Sequence, residues 1–359
     1  MLAREIRAHA DAIRLGELAG IDVELHDVIE QLVAVDDARQ LLARRLTRGV
    51  RGRSGMRQLR GRMAASATAR GKHRENESPH RVDGSVAVAM ALWFAALLGL
   101  IQGLTEYIPV SSTAHLRVVP ALFGMKDAGA AYTAVIQLGT LAAVIIYFAK
   151  DLIALPHAML KAPGTPEGRL PWMLAVGTVP IVIAGLLLKK HIEGDLRSLY
   201  VIAAALVVVG IAMAVIDQTA GKHATRPLAS LTYTDAVIVG LAQTLALIPG
   251  VSRSGSTICM ALLLGFTRSD AARFSFLLSI PAVAGAGILE AREAFRTLGA
   301  DAIPALAVGT GVAAVVGYAT IAWFLRWLGS HQLVGFAIYR IACGLALLAA
   351  LGAGYLASV

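Results

Sequence analysis

From residue 84 onward the chain is a series of long uncharged apolar runs separated by short polar connections. The runs cover 84–105, 128–149, 170–188, 198–216, 236–252, 274–289, 302–325 and 341–359, the last extended backward through 327–339. As a helix, each can cross a hydrocarbon core about 30 Å thick, the shorter ones with help from flanking side chains. Two stretches break the pattern. Residues 102–124 and 249–266 are interrupted by Pro, Gly and Ser and are too polar to face lipid. Irregular backbone at membrane depth is tolerated only where protein or a wet cavity surrounds it, so both are predicted to be re-entrant segments.

The two odd segments resemble each other. A shift of 141 positions places Gly99 on Gly240, Leu100 on Leu241, Gln102 on Gln243, Leu104 on Leu245, Val110 on Val251 and Ser111 on Ser252. Interrupted hydrophobic segments at matching places in two halves point to a site near the membrane midplane, between repeats. The pattern therefore predicts an all-α polytopic membrane protein with repeats at about 86–217 and 233–359, each carrying one re-entrant helical hairpin.

Composition supports this over two or three soluble domains: 57% of the 359 residues are hydrophobic and 16% charged. The two cysteines, Cys259 and Cys343, lie in apolar segments and read as packing residues. The net charge of +9 is concentrated outside the apolar part, where Arg39 to Arg74 hold twelve Lys or Arg and no acid. That block reads as a membrane-surface or positive-inside feature, with no nucleic acid as partner. Residues 1–85 are read as a separate basic extension. Helical patterning puts Ile21, Leu25, Val28, Ile29 and Leu32 on one face, and a polar, disordered stretch follows over 65–83. The extension is not a secretory signal, and Met90 marks an alternative start.

Charge matters most where it is scarce. Arg253 stands between the uncharged runs 236–252 and 254–267. A cation at membrane depth is costly unless an anion or water meets it. Pro249 and Gly250 break the incoming helix, and Ser252, Ser254, Gly255, Ser256 and Thr257 supply hydroxyls and flexible backbone before the next helix begins. A helix that starts inside the protein aims unpaired N–H groups and its positive dipole end at the break. With a guanidinium beside it, the expected guest is phosphate. A kinked helix with hydroxyls bonded back to carbonyls would account for a serine or two, but not for the arginine.

The first interrupted segment holds Gln102 and Glu106, four apart and on one helical face, then Pro109, Ser111, Ser112, Thr113 and His115. Glu106 is the only carboxylate between Asp83 and Asp127. Buried, it would neutralise itself unless a cation or metal paired with it. Carboxylate, hydroxyl, imidazole and an arginine from the other repeat form a set suited to phosphoryl transfer. Glu106 can hold a divalent metal, Ser112 or water can attack, His115 can move the proton, and Arg253 can take the developing charge. The structural alternative, in which Glu106 only pairs with Arg117 or Arg253 and His115 only anchors a helix end, accounts for single residues better than for the whole set.

At these residues the chain resembles the undecaprenyl-diphosphate phosphatases of the bacitracin-resistance type. Gln102-x-x-x-Glu106, then Pro109-Val-Ser-Ser-Thr-x-His115, is similar to the family's first signature, and Pro249-Gly-x-Ser-Arg-Ser-x-x-Thr257 to its second. Val135-Ile-Gln-Leu-Gly139, the stretch from Arg268 to Pro281 and Phe336-Ala-Ile-Tyr-Arg340 add to the likeness, which covers about 86–359. The resemblance implies inverted-topology repeats in a multi-pass protein of the bacterial plasma membrane. It implies hydrolysis of undecaprenyl diphosphate to the monophosphate carrier used in cell-wall synthesis, with bacitracin resistance as a consequence. It also implies a divalent cation, Mg2+ or Ca2+, at Glu106 with Gln102. Glu106, Ser112, His115 and Arg253 are the catalytic candidates; Ser111, Thr113, Gly250, Ser252, Ser254, Gly255 and Thr257 are expected to bind the substrate. The partners are a polyprenyl diphosphate and membrane lipids, with a homodimer left open. Arg117 departs from the family pattern, which has an apolar residue there. The rival expectations are a transporter or flippase of the lipid carrier or of a small anion, and an inactive drug-sequestering protein.

Overall fold

The computed structural model describes residues 91–125, 127–193, 196 and 198–356, within a compact unit spanning 85–359. The basic extension and its helical patterning lie outside the described residues. Twelve helices account for the described chain: α1 (Leu92–Thr105), α2 (Ser112–Leu122), α3 (Gly129–Tyr147), α4 (Ala149–Lys161), α5 (Pro166–Glu193), α6 (Leu199–Gln218), α7 (Ala220–His223), α8 (Tyr233–Thr244), α9 (Arg253–Leu263), α10 (Arg268–Leu298), α11 (Ile303–Leu328) and α12 (Val334–Gly352).

Among the described residues, four helical stretches are long and apolar enough to cross a membrane: Pro166–Leu188, Leu199–His223, Ala300–Leu328 and Val334–Gly352. The α3–α4 pair, bent by 67°, makes a fifth if it is one span. Two of the uncharged runs differ from expectation. Runs 84–105 and 236–252 end in the shorter apolar helices Leu92–Thr105 and Tyr233–Leu247. Beyond them, Pro109 and Pro249 each lack a backbone donor and push the preceding residue out of helical conformation. Ile153, Leu187 and Val315 are each more than 70% exposed, which suits a lipid-facing surface.

The tertiary pairing brings the two odd segments together. Helix α1 packs on α11 and α8 on α5, while α6 pairs with α12 and α10 with α3 and α9. Two of these crossings are set by glycine: a Cβ on Gly99 would lie 2.3 Å from the Gly309 carbonyl oxygen, and one on Gly240 would lie 2.2 Å from that of Gly177. Gly99 and Gly240 are 141 apart. Behind the breaks lies a core containing Tyr107, Phe148, Phe266, Phe274, Phe276 and Phe324.

The breaks themselves share one backbone conformation. Ser111 (φ 75°) and Ser252 (φ 74°) are the only non-glycine residues with positive φ among the described residues. Each stands immediately before an 11-residue helix, α2 or α9, and a positive-φ glycine, Gly124 or Gly265, lies just past that helix. Strained serines of this kind cost about 1–3 kcal/mol each and persist only where the surroundings over-determine them. Arg340, fully buried on α12, is part of that restraint. Its Nη1 donates to the Pro109 carbonyl at 3.0 Å, and its Nη2 to those of Gly250 and Val251 at 2.8 and 3.0 Å. Pro109 and Gly250 are again 141 apart, so one guanidinium pins equivalent points of both breaks. Arg117 finds its partner in Asp127, 3.5 Å away, which ties α2 to the approach of α3.

Candidate active site

Glu106 follows α1 directly and is 8% exposed. Its carboxylate is held by four donors from four helices. Oε2 accepts from Gln102 Nε2 at 3.0 Å and from Ser112 Oγ at 2.7 Å. Oε1 accepts from Gln137 Nε2 at 3.0 Å and from Arg253 Nη2. The first pair comes from the same interrupted segment, Gln137 from α3, and Arg253 from the first residue of α9. One guanidinium and three neutral donors thus occupy both carboxylate oxygens.

The second break builds the wall around Arg253. Ser252 Oγ caps α9 by accepting from the Gly255 N–H at 3.1 Å, and it shares a 3.1 Å hydrogen bond with Ser254 Oγ. Ser254 Oγ lies 3.3 Å from the Ile108 carbonyl oxygen and 3.4 Å from that of Glu106, joining the two breaks. Gly250 has φ 97°, and a Cβ there would lie 2.7 Å from the Ile202 oxygen, so this turn needs glycine. Thr257 is fully buried and is bonded to its own turn and to α10, with Oγ1 2.8 Å from the Arg253 carbonyl oxygen and 2.6 Å from Ser275 Oγ. It fixes the turn that carries Arg253.

Helix α2 sorts the remaining candidates. Ser112 reaches Glu106, and Ser111 is buried at the bend, its carbonyl accepting from His115 Nδ1 at 2.7 Å. Thr113 is exposed and lies outside this cluster. His115 faces Tyr339 on α12, with Nε2 to the hydroxyl at 2.7 Å and the rings stacked. Because a carbonyl only accepts, Nδ1 carries a proton and the neutral ring keeps Nε2 as its acceptor. The hydrogen bond from Ser112 thus goes to Glu106, while His115 bonds to Tyr339, where the sequence suggested the imidazole as proton carrier.

Gln137, Tyr339 and Arg340 are site residues that sequence reasoning left unassigned. Each is a polar group within an apolar helix, a placement that is costly unless it is used. For a divalent cation, the available donors are Glu106 and the buried Gln102 Oε1, which has no hydrogen-bond partner. Among the described residues no group of three His, Cys, Asp or Glu could enclose a metal. The all-oxygen pair suits a hard cation completed by ligand oxygens and water.

Comparison with known proteins agrees in extent with this site. The sequence model of the family described as Bacitracin resistance protein BacA matches residues 95–346. An undecaprenyl-diphosphatase of Myxococcus xanthus (strain DK1622) is 50% identical over 273 residues, covering 74% of this chain and 91% of that protein. The protein of that name from Prosthecochloris aestuarii is 46% identical over 278 residues, and the one from Chlorobium phaeobacteroides 47% over 281; each aligns over 99% of its own length.

Proposed function

Because the chain belongs to the BacA family of bacitracin resistance proteins, we infer that it is a multi-pass membrane phosphatase acting on undecaprenyl diphosphate. It cleaves the terminal phosphoric anhydride with water, releasing phosphate and returning undecaprenyl phosphate for cell-wall synthesis, which confers bacitracin resistance. The observation that carries this reading is the buried meeting of Glu106, Ser112 and Arg253 from two separate chain breaks. Its place is the bacterial plasma membrane. The breaks are read as re-entrant hairpins of inverted repeats, supported by their matched serines and by the exchanged packing of α1 on α11 and α8 on α5.

In this reading Arg253 exchanges Glu106 for a phosphate oxygen, adding its planar donor fork to the N–H groups that open α9. Glu106 receives the proton of the attacking group, either a water, which releases phosphate directly, or Ser112, whose phosphoserine a second water hydrolyses to phosphate; undecaprenyl phosphate is the leaving group in both. A loose phosphoryl-transfer transition state needs little base strength, so alignment is the carboxylate's main contribution. His115, braced by Ser111 and Tyr339, is the second proton-carrying group. A divalent cation, Mg2+ or Ca2+, held by Glu106 and Gln102, would neutralise the diphosphate charge.

Detergent separates this reading from a transporter. Hydrolysis survives in the solubilised protein, whereas transport requires a sealed membrane. Phosphate release from undecaprenyl diphosphate in detergent is expected, and its absence alongside flux in vesicles would overturn the phosphatase. Within the enzyme, Ser112→Ala should lower kcat by about 10^2-fold or more, while His115→Gln retains more activity. A phosphohistidine trapped on the wild type and absent from the His115 variant would reverse that order.

A further inference from the structure

We propose that Gln137 is a positioning residue of this site, holding Glu106 in place once Arg253 turns to phosphate. The inference rests on the phosphatase reading above. In the structure Oε1 of Glu106 has two donors, Arg253 and Gln137, and Oε2 has two, Ser112 and Gln102. Arg253 and Ser112 are the pair that substrate must claim. What remains on the carboxylate is one amide per oxygen, Gln137 from α3 and Gln102 from α1, a clamp that keeps its orientation while its other partners change.

The clamp is braced. Gln102 Nε2 lies 3.3 Å from Thr140 Oγ1, and that hydroxyl donates to the Gln137 carbonyl at 2.8 Å. Tyr107, next to Glu106, donates its hydroxyl to the Thr140 carbonyl at 2.7 Å. The helical turn from Gln137 to Thr140 is thereby fixed to the segment that carries the carboxylate. The other half of the chain shows that the amide and the acid go together. Across the shift of 141, Glu106 becomes Leu247 and Gln137 becomes Leu278. Gln102 persists there as Gln243, fully buried, with neither amide atom hydrogen-bonded. Where no carboxylate exists, the α3-type amide is gone.

Groups that orient a metal-binding carboxylate typically contribute 10–100-fold to metal affinity or activity. The test uses Gln137→Leu and Gln137→Asn, the second keeping an amide one methylene too short to reach. Calcium binding is measured by calorimetry on the full chain in detergent, with saturating methylenediphosphonate as a non-hydrolysable phosphate probe. Thermal midpoint and KM for undecaprenyl diphosphate are measured beside it. Calcium affinity should fall roughly tenfold or more in both variants, with kcat falling alongside, KM within about twofold and an unchanged midpoint. Gln243→Leu should leave calcium affinity unmoved. Wild-type affinity in both Gln137 variants, or an equal loss in Gln243→Leu, would overturn the proposal while the phosphatase reading stands. Failure of the wild-type protein to release phosphate would overturn that reading and this proposal with it.

Discussion

Arg253→Lys keeps the charge and loses most of the turnover, with kcat/KM expected to fall by roughly 10^2–10^3-fold. The reason is geometric. Arg253 begins α9 from a strained serine cap, its backbone fixed by Thr257 and Ser256 bonding to its carbonyl at 2.8 and 3.0 Å. From that fixed base its planar fork reaches Glu106 now and, in the proposed cycle, two phosphate oxygens. A lysine ammonium is a point charge that can meet one oxygen but cannot fork between two. Initial rates of phosphate release compare the two proteins. Near-normal turnover in the lysine variant would mean that Arg253 serves as a structural ion-pair partner and nothing more.

The second large effect is at Glu106. Glu106→Gln should reduce activity below detection, because the amide cannot take the Ser112 proton and leaves Arg253 largely buried without a counter-charge. Gln102→Glu is its counterpart with the opposite outcome. A second carboxylate placed 3.0 Å from Glu106, where the Gln102 amide now sits, favours a shared cation. Activity should persist and half-maximal rate should come at a lower cation concentration. Cation titrations of wild type and both variants, before and after chelator, check this. A Glu106→Gln protein that retains its rate and its response to chelator would remove the carboxylate from the chemistry.

Much of the site was legible because charge and backbone breakers are conspicuous in apolar sequence. The four-residue spacing of Gln102 and Glu106 predicted a shared face, and their side chains are hydrogen-bonded. Arg253 called for an anion, and the structure supplies Glu106. The pairing of the halves was visible only as six identities, whereas the backbone repeats the relation in the Ser111 and Ser252 bends, the equal lengths of α2 and α9, and the Arg340 contacts to Pro109 and Gly250. The backbone matches at these positions where most side chains differ, so sequence identity understates the likeness.

Other features were hidden for physical reasons. Gln137 sits inside a membrane-length run and has no charge to mark it; only the cost of placing an amide there could have singled it out. Arg340 interrupts the last apolar run, yet nothing in the spacing says that its guanidinium would reach two breaks more than 80 residues away. Tyr339 reads as an interfacial aromatic until His115 is placed beside it. Counting uncharged residues also overstated the number of plain spans, since the runs before Pro109 and Pro249 end at membrane depth in the proposed arrangement.

The most direct measurement of the central claim is the product balance on undecaprenyl diphosphate, using detergent-solubilised protein and a divalent cation. The account predicts one inorganic phosphate and one undecaprenyl phosphate for each diphosphate consumed, with none released by Glu106→Gln or after chelation. Free diphosphate with the prenyl alcohol, or intact substrate, would contradict it.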